Sequence, residues 1–437
     1  MCRERPGCTA GHPFELQRTF PLHGSPLRER WRAALLGALA LFSGPLLASS
    51  PADLDFPRAL DAAYRNNPDL AAAGWNIGIA EGERRQAAVI PNPELSWEAE
   101  DTRSDTRTTT VQISQPIELG GKRGARIEVA ERGQDIAALE LEQKRNDLRA
   151  DAIVAFHSAL RTQIRVELAE ESLRLAERGL SVAEARIRAG KAAPVEALRA
   201  DVQRSEMRLE LGRAHAEREA AYQQLAMVMG EAQPSFSRVQ GELGGLPPRP
   251  AAAVLLGRLD ETAELRLAAR QVGQQEASLA LAKANRIPDL SISVGSQYSA
   301  EDRERVNLVG LSMPIPLFDR NQGNVLAAAR RADQARDLRN ATKLRLRSET
   351  RQALEQWSSA AADIRAFEQS ILPAAQRAVD SATRGFQMGK FAFLDVLDAQ
   401  RTLIDSRGRY LQAVAEATDA WAALVRLYGD LSSPAEA

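Results

Sequence analysis

Two hydrophobic rhythms alternate along this chain. Leu95, Trp97 and Ala99 come at every second position among polar neighbours, and after the polar run "DTRSDTR" the rhythm resumes with Val111 and Ile113. Leu290, Ile292 and Val294 alternate in the same way with Ser291, Ser293 and Gly295, and beyond "SAEDRE" the pattern continues through Val306 and Leu308. Period-two alternation bounded by polar turns predicts two β-hairpins, about 94–117 and about 289–316.

After each hairpin the period lengthens to three and four. Ile136, Leu139, Leu148, Ile153, Phe156, Leu160, Ile164 and Leu168 mark a stretch with no proline between Pro116 and Pro194. They predict a helix of roughly 65 residues, nearly 100 Å long at ~1.5 Å per residue. A second run spans about 321–388, with a kink expected near Pro373, which has no N–H to donate. A helix of that length exceeds one compact domain. Its polar face borders water and its apolar stripe meets neighbouring helices in a coiled-coil-like seam. A helical stretch precedes each hairpin, about 55–88 (dented near Pro68) and about 251–286, stopped by Pro91, Pro93 and Pro288. Each long helix reverses into another, about 194–229 and about 392–429. Gly190 and Gly389 suit a left-handed helix cap at these reversals, and Pro194 suits a first helical turn.

The elements are one unit written twice. Gly190-Lys191 recurs as Gly389-Lys390 and Gly230 as Gly429, both at an offset of 199. Val195-Glu196-Ala197-Leu198 matches Leu394-Asp395-Val396-Leu397 at that same offset, and Pro116 pairs with Pro314 at 198. Ordered anchors at near-constant spacing predict a tandem duplication. The first repeat is read over 53–243, the second over 251–430, with "GGLPPRP" at 244–250 as linker and 431–437 as a tail.

Composition alters this picture at the N-terminus. Arg28, Arg30 and Arg32 precede "AALLGALALFSGPLLA" and a small-residue stretch from Ala48 to Ala52, which reads as an export signal. Residues 1–52 are therefore expected to be an N-terminal extension and signal peptide. The first 27 residues are long for such a signal and are read as translation from a misplaced start. Both cysteines, Cys2 and Cys8, lie ahead of it, so the mature chain has no thiol in an oxidising compartment and no site for a lipid anchor. The net charge of −1 gives no basis for a nucleic-acid partner, and aromatics at 5% are few for a large compact core. No other stretch is long and apolar enough for a transmembrane helix, so in a membrane this chain sits as strands. Four strands cannot close a barrel, so chains must pool them, as a dimer or a trimer. The alternative is two soluble hairpins on a helical body.

Candidate chemistry is sparse. Asp395 and Asp398, three apart in "GKFAFLDVLDAQ", share a helix face. Carboxylates in a first turn stabilise a helix by about 0.3–1 kcal/mol, which alone accounts for them. Glu196 is the counterpart in the first unit, and Arg199 follows it by three. Lys122, Arg123 and Arg126 open a helix, against its dipole, and face either lipid headgroups or solvent. Asp319 is the expected N-cap of the second long helix, and Trp97 and Tyr298 are candidates for an interfacial aromatic belt. His157 and His215 lie alone on helices, and Met207, Met227, Met229, Met313 and Met388 form no soft-metal cluster. There is no zinc spacing, nucleophile elbow or phosphate loop. No enzyme activity and no cofactor are expected.

"PNPELSWEAED", "ISQPIELGGKRGAR", "PIPLFDRNQGN" and "GKFAFLDVLDAQRTL" resemble the outer membrane efflux proteins, the TolC-like channels, and most of all their CzcC-like subgroup. The similarity spans essentially the whole mature chain. It implies a mainly α fold with a small β part, built from a duplicated helix–hairpin–long helix–helix unit. It implies a homotrimer: an α-helical barrel across the periplasm, continued by a twelve-stranded transmembrane β-barrel in outer-membrane lipid. The implied partners are a periplasmic adaptor (membrane fusion) protein and an inner-membrane RND transporter. The implied function is the exit duct of a pump for divalent heavy-metal cations. A channel for drugs or secreted polypeptides is the alternative, with a soluble periplasmic coiled-coil scaffold behind it. In the family the residues matching Asp395 and Asp398 ring the periplasmic aperture, where like charges attract cations and raise one another's pKa. Glu196 joins them as the first unit's acid. The turns at Gly190, Lys191, Gly389 and Lys390 correspond to the adaptor-docking tips. Relatives of the TolC type carry a basic residue two positions after the tip glycine that ties the closed state. Here Phe391 stands there, and the tether falls to Lys390 or Arg199.

Overall fold

The computed structural model describes residues 53–243 and 250–431. The expected signal region, most of the linker and all but the first residue of the tail lie outside the described residues. The chain opens on α1 (Phe56–Asn66) and α2 (Pro68–Ala87), where the sequence reads one dented helix. Asn67 makes a full break. Its backbone is extended, and its side-chain oxygen accepts the N–H groups of Asp69 and Leu70 at 3.0 and 3.1 Å. Pro68 takes the first helical position, where its missing donor is not needed.

The strands are β1 (Glu94–Glu100), β2 (Thr108–Ile117), β3 (Leu290–Ser299) and β4 (Glu304–Ser312). They form one antiparallel sheet in the order β1-β2-β3-β4, so the two hairpins join through β2 and β3. Leu95, Ile113, Val294 and Val309 lie in one cross-strand row on one face. That face is bare: Leu95, Val294, Val309 and Leu311 are 70%, 58%, 78% and 70% exposed. The adjacent row on the other face is Glu94, Ser114, Ser293 and Gly310. Among the described residues the outer edges of β1 and β4 are unpaired.

From the sheet runs α3 (Lys122–Arg188), 67 residues without interruption, returning as α4 (Pro194–Val228). The second unit has α5 (Ala252–Gly257), a 3₁₀ turn at Leu259–Glu261 and α6 (Ala263–Ala284) before its hairpin. The single helix expected over 251–286 is thus broken at Thr262, whose hydroxyl caps α6 by accepting the Leu265 N–H at 3.4 Å. After the hairpin come α7 (Gln322–Ala366), a π-helical turn at Phe367–Ile371, α8 (Leu372–Gln387) and α9 (Phe393–Tyr428). The expected kink appears as this π turn. Pro373 cannot close the usual backbone bond, and the wider turn just before it takes up the mismatch. The Tyr410 hydroxyl donates to Glu368 at 2.9 Å across the turn, and its ring meets Phe367 edge-on. Burial, then the Glu368 contact, pushes the Tyr410 phenol up to about 12.

Two expectations are corrected at the sheet's root. Asp319 is not the cap of α7. Asn321 occupies that position at φ 57°, and the Asp319 carboxylate accepts the Asn321 N–H at 2.9 Å, closing a turn just upstream. Of the cations of "GGKRGAR", Lys122 and Arg126 are engaged by the protein in place of lipid or solvent, while Arg123 stays exposed. Lys122 meets Asp289 at 2.7 Å, and Arg123 donates to the Ala88 carbonyl at 2.7 Å. Arg126 donates to the carbonyls of Ala87 and Val89 at 2.9 and 3.1 Å, and it pairs with Glu118. The free carbonyls at the end of α2 find their donors here. Arg126→Met strands two carbonyls and one carboxylate and is expected to destabilise the fold by about 2–3 kcal/mol, read by thermal unfolding. Arg126 holds the Glu118 carboxyl below its ordinary range. The pair's stabilisation is therefore present above the ordinary carboxylate pKa and is lost as pH falls through the lowered one; Arg126→Met removes that acid dependence.

Helix α3 is the axis of the packing, touching α2, α4, α6 and α9, while α7 packs on α6 and α9, and α8 on α9. Phe156, Leu160, Tyr222, Leu225 and Val239 form one core beside α3. Ile153, Leu255, Leu346, Leu354 and Leu424 form another. Elsewhere alanine dominates the contacts, which keeps the helices close. Among the described residues no helix is long and apolar enough to cross a membrane.

Candidate functional site

The far end of α3 from the sheet brings both helix reversals together. At the first, Gly190 has φ 67°, its N–H donates to Ile187, and the Lys191 N–H donates to Arg186 at 2.8 Å. At the second, Gly389 has φ 73°, its N–H donates to Phe386, and the Lys390 N–H donates to Gly385 at 2.8 Å. Both are Schellman turns, satisfying the last carbonyls of α3 and α8. A Cβ at either glycine would meet nothing within 4 Å, so the backbone angle alone calls for glycine.

One residue clamps the two turns. Arg186 donates to the Phe386 carbonyl at 2.9 Å, and its guanidinium lies 4.4 Å above the Phe386 ring. Behind this contact Ala183, Ala200, Ala382, Phe386, Phe393 and Val396 close a small core. The sequence reading did not single out Arg186. Its one visible signal is the repeat offset, which sets Arg186 against Gly385 and Ala192 against Phe391. A Cβ at Gly385 would overlap the Phe391 ring. Phe391 therefore folds back onto α8, where the first unit has an arginine and an alanine.

The acidic residues separate on inspection. Glu196 and Asp395 hold the same position, third in α4 and α9. The Asp395 carboxylate accepts the Ala392 N–H at 2.9 Å and caps the helix. Glu196 instead turns one carboxylate oxygen into a buried place with no hydrogen-bond partner. Asp398 is exposed, and its carboxylate has no partner among the described residues. It lines a groove between α4 and α9 with Leu198, Arg199, Gln203, Glu206 and Arg401. Arg199 and Asp398 are 199 apart, so equivalent positions of the two units present opposite charges to one groove.

Lys191 and Lys390 are exposed at the turns. Among the described residues neither Lys390 nor Arg199 forms an ion pair with Asp395, Asp398 or Glu196. Among the described residues no three His, Cys, Asp or Glu side chains converge to hold a metal ion. His157 is alone on α3, and burial pushes its pKa down. The tip thus presents the exposed Asp398 carboxylate beside Arg199 and Arg401, and two exposed lysine-bearing turns.

The family model described as outer membrane efflux protein matches residues 59–231 and 258–430. The cobalt-zinc-cadmium resistance protein CzcC of Cupriavidus metallidurans is 40% identical over 385 residues, 88% of this chain and 92% of that protein. The nickel-cobalt-cadmium resistance protein NccC of Alcaligenes xylosoxydans xylosoxydans is 29% identical over 295 residues, 66% of this chain and 67% of that one. The solved structure of CusC superposes with a TM-score of 0.72 at 18% identity, covering 89% of this chain and 96% of that chain.

Proposed function

Because the chain belongs to the outer membrane efflux protein family, we propose that it is the outer-membrane exit duct of a tripartite pump for divalent heavy-metal cations. The observation that carries this reading is the sheet, with its apolar face bare and both edges unpaired. In lipid every backbone donor and acceptor must be paired, so such a sheet must close by joining copies. Three chains pool twelve strands, within the range of known closed barrels. The long helices then continue the wall into the periplasm, each repeat (53–243 and 251–430) supplying one hairpin and one reversal. The similarity to CzcC supports heavy-metal cations as the substrate class.

Around a threefold axis Asp395 and Asp398 supply six carboxylates to one aperture, with Glu196 close behind, and such a ring favours cations. Arg199, in the groove with Asp398, is the better placed tether; Lys390 is left to the tip. The turns at Gly190-Lys191 and Gly389-Lys390 dock the periplasmic adaptor, which connects the duct to an RND transporter. The chain binds no cofactor and catalyses no reaction in this scheme.

Deletion followed by growth on Zn²⁺, Co²⁺, Cd²⁺ and a drug panel tests the substrate class. Sensitivity confined to metals is expected; sensitivity confined to drugs rejects it. Lys191→Glu with Lys390→Glu is expected to leave oligomers in the outer membrane and to abolish metal resistance. Full resistance in that strain rejects docking at the tips.

A further inference from the structure

The charges of the sheet are sorted by face. Pairing sets Glu94, Glu98, Glu100 and Glu304 on the polar face, and no basic strand residue shares it. The apolar face carries a single charged strand residue, Arg305, directly opposite Tyr298 and at the turn end of the strands. Tyr298 in turn lies opposite Thr109 of β2. One step nearer the turn the Arg107 carbonyl accepts the Ala300 N–H at 3.0 Å, so the ladder continues, and alternation carries Arg107 to the side of Tyr298. Arg107 and Arg305 are both exposed, and among the described residues neither side chain has an ion pair or hydrogen bond. Arg103 in the adjoining turn differs: it is bound to Asp101.

Two unpaired guanidinium groups beside a tyrosine, at the margin of an apolar face, form an arrangement with a preferred ligand. An arginine stem covers apolar surface while its head reaches toward a polar layer. The planar fork matches phosphate oxygens bidentately. A tyrosine ring suits the boundary between hydrocarbon and headgroup. Val309, Leu311 and Val294 continue the same face away from the turns, leaving an apolar bed for acyl chains. A free phosphate ion would make no use of that bed. We propose that Arg305 and Arg107, flanking Tyr298, bind the phosphate of a lipid headgroup at the turn end of the sheet. This rests on the proposal that the apolar face meets outer-membrane lipid.

The test uses the purified oligomer in neutral detergent, titrated with bisphosphorylated lipid A and with its dephosphorylated form, binding being read by native mass spectrometry. The wild type is expected to bind lipid A, and Arg107→Gln with Arg305→Gln to bind it at least about tenfold more weakly, as befits lost charge-assisted bonds. The dephosphorylated lipid should bind both proteins alike, and Arg103→Gln should behave as wild type. Unchanged lipid A affinity in the double variant overturns the assignment. Competition by inorganic phosphate as effective as that by lipid A overturns the lipid as occupant. Conductance in planar bilayers separates the two readings. A wild type that forms no pore refutes the duct. A conducting protein whose lipid A binding ignores the substitutions refutes this inference alone.

Discussion

Val294→Arg prevents assembly in the membrane while leaving the helices folded. Val294 lies midway along β3 on the bare face, in the row with Leu95, Ile113 and Val309, and is 58% exposed. In water that exposure makes an arginine harmless. Against hydrocarbon, an arginine near the midplane of a strand wall costs about 2–4 kcal/mol, and every chain of the closed wall bears it. The expected result is loss of the oligomer from the membrane fraction, with helical circular dichroism retained in the soluble material. Gln297→Arg, three rows nearer the turns and on the polar face, is the control and should assemble. Normal assembly of Val294→Arg would show that the bare face does not meet lipid.

The second large effect is on ion preference, and the structure divides it between two residues. Asp398 has a free carboxylate, so Asp398→Asn should lower cation over anion permeability without moving the melting temperature. Asp395 also caps α9 through the Ala392 N–H, so Asp395→Asn should lower the preference and soften the tip by about 0.3–1 kcal/mol. A contact between unit charges in water is worth about 1 kcal/mol, so removing both rings should reduce the permeability ratio at least about fivefold. Reversal potentials across a salt gradient read this directly. A double variant with unchanged reversal potential would remove both aspartates from the aperture.

Much of this architecture is legible because periodicity reports local geometry. Alternation at 95–99 and 290–294 assigned β1 and β3 and their faces, but the phase read through Val306 and Leu308 was wrong for β4: pairing opposite Gln297 and Gly295 puts both on the polar face and leaves Val309 and Leu311 on the bare one. The absence of proline between 116 and 194 let the long helix be read nearly to its ends. What was missed depends on contacts distant in sequence. Pairing of β2 with β3 joins residues such as Ile113 and Val294, and no pattern within either hairpin announces it. Arg126 was read as facing outward because only the fold brings Ala87 and Val89 back to it. Asn67 and Thr262 break helices through one polar side chain each, a weak signal in helix-forming surroundings. At the tip the glycine turns were legible and the Arg186 clamp was not, since its partner Phe386 lies 200 residues away. The unlike fates of Asp395 and Asp398 were equally hidden, because both occupy one helix face.

The π turn at 367–371 makes the two halves of each chain mechanically unequal. A push along the first half travels down α3 as along an unjointed rod. The same push along the second half meets a joint, weakened where Pro373 forfeits a backbone bond and latched by Tyr410 on Glu368. Bending of the second half is therefore expected to concentrate where α7 meets α8, with α9 running unbroken past the latch as the splint that limits it.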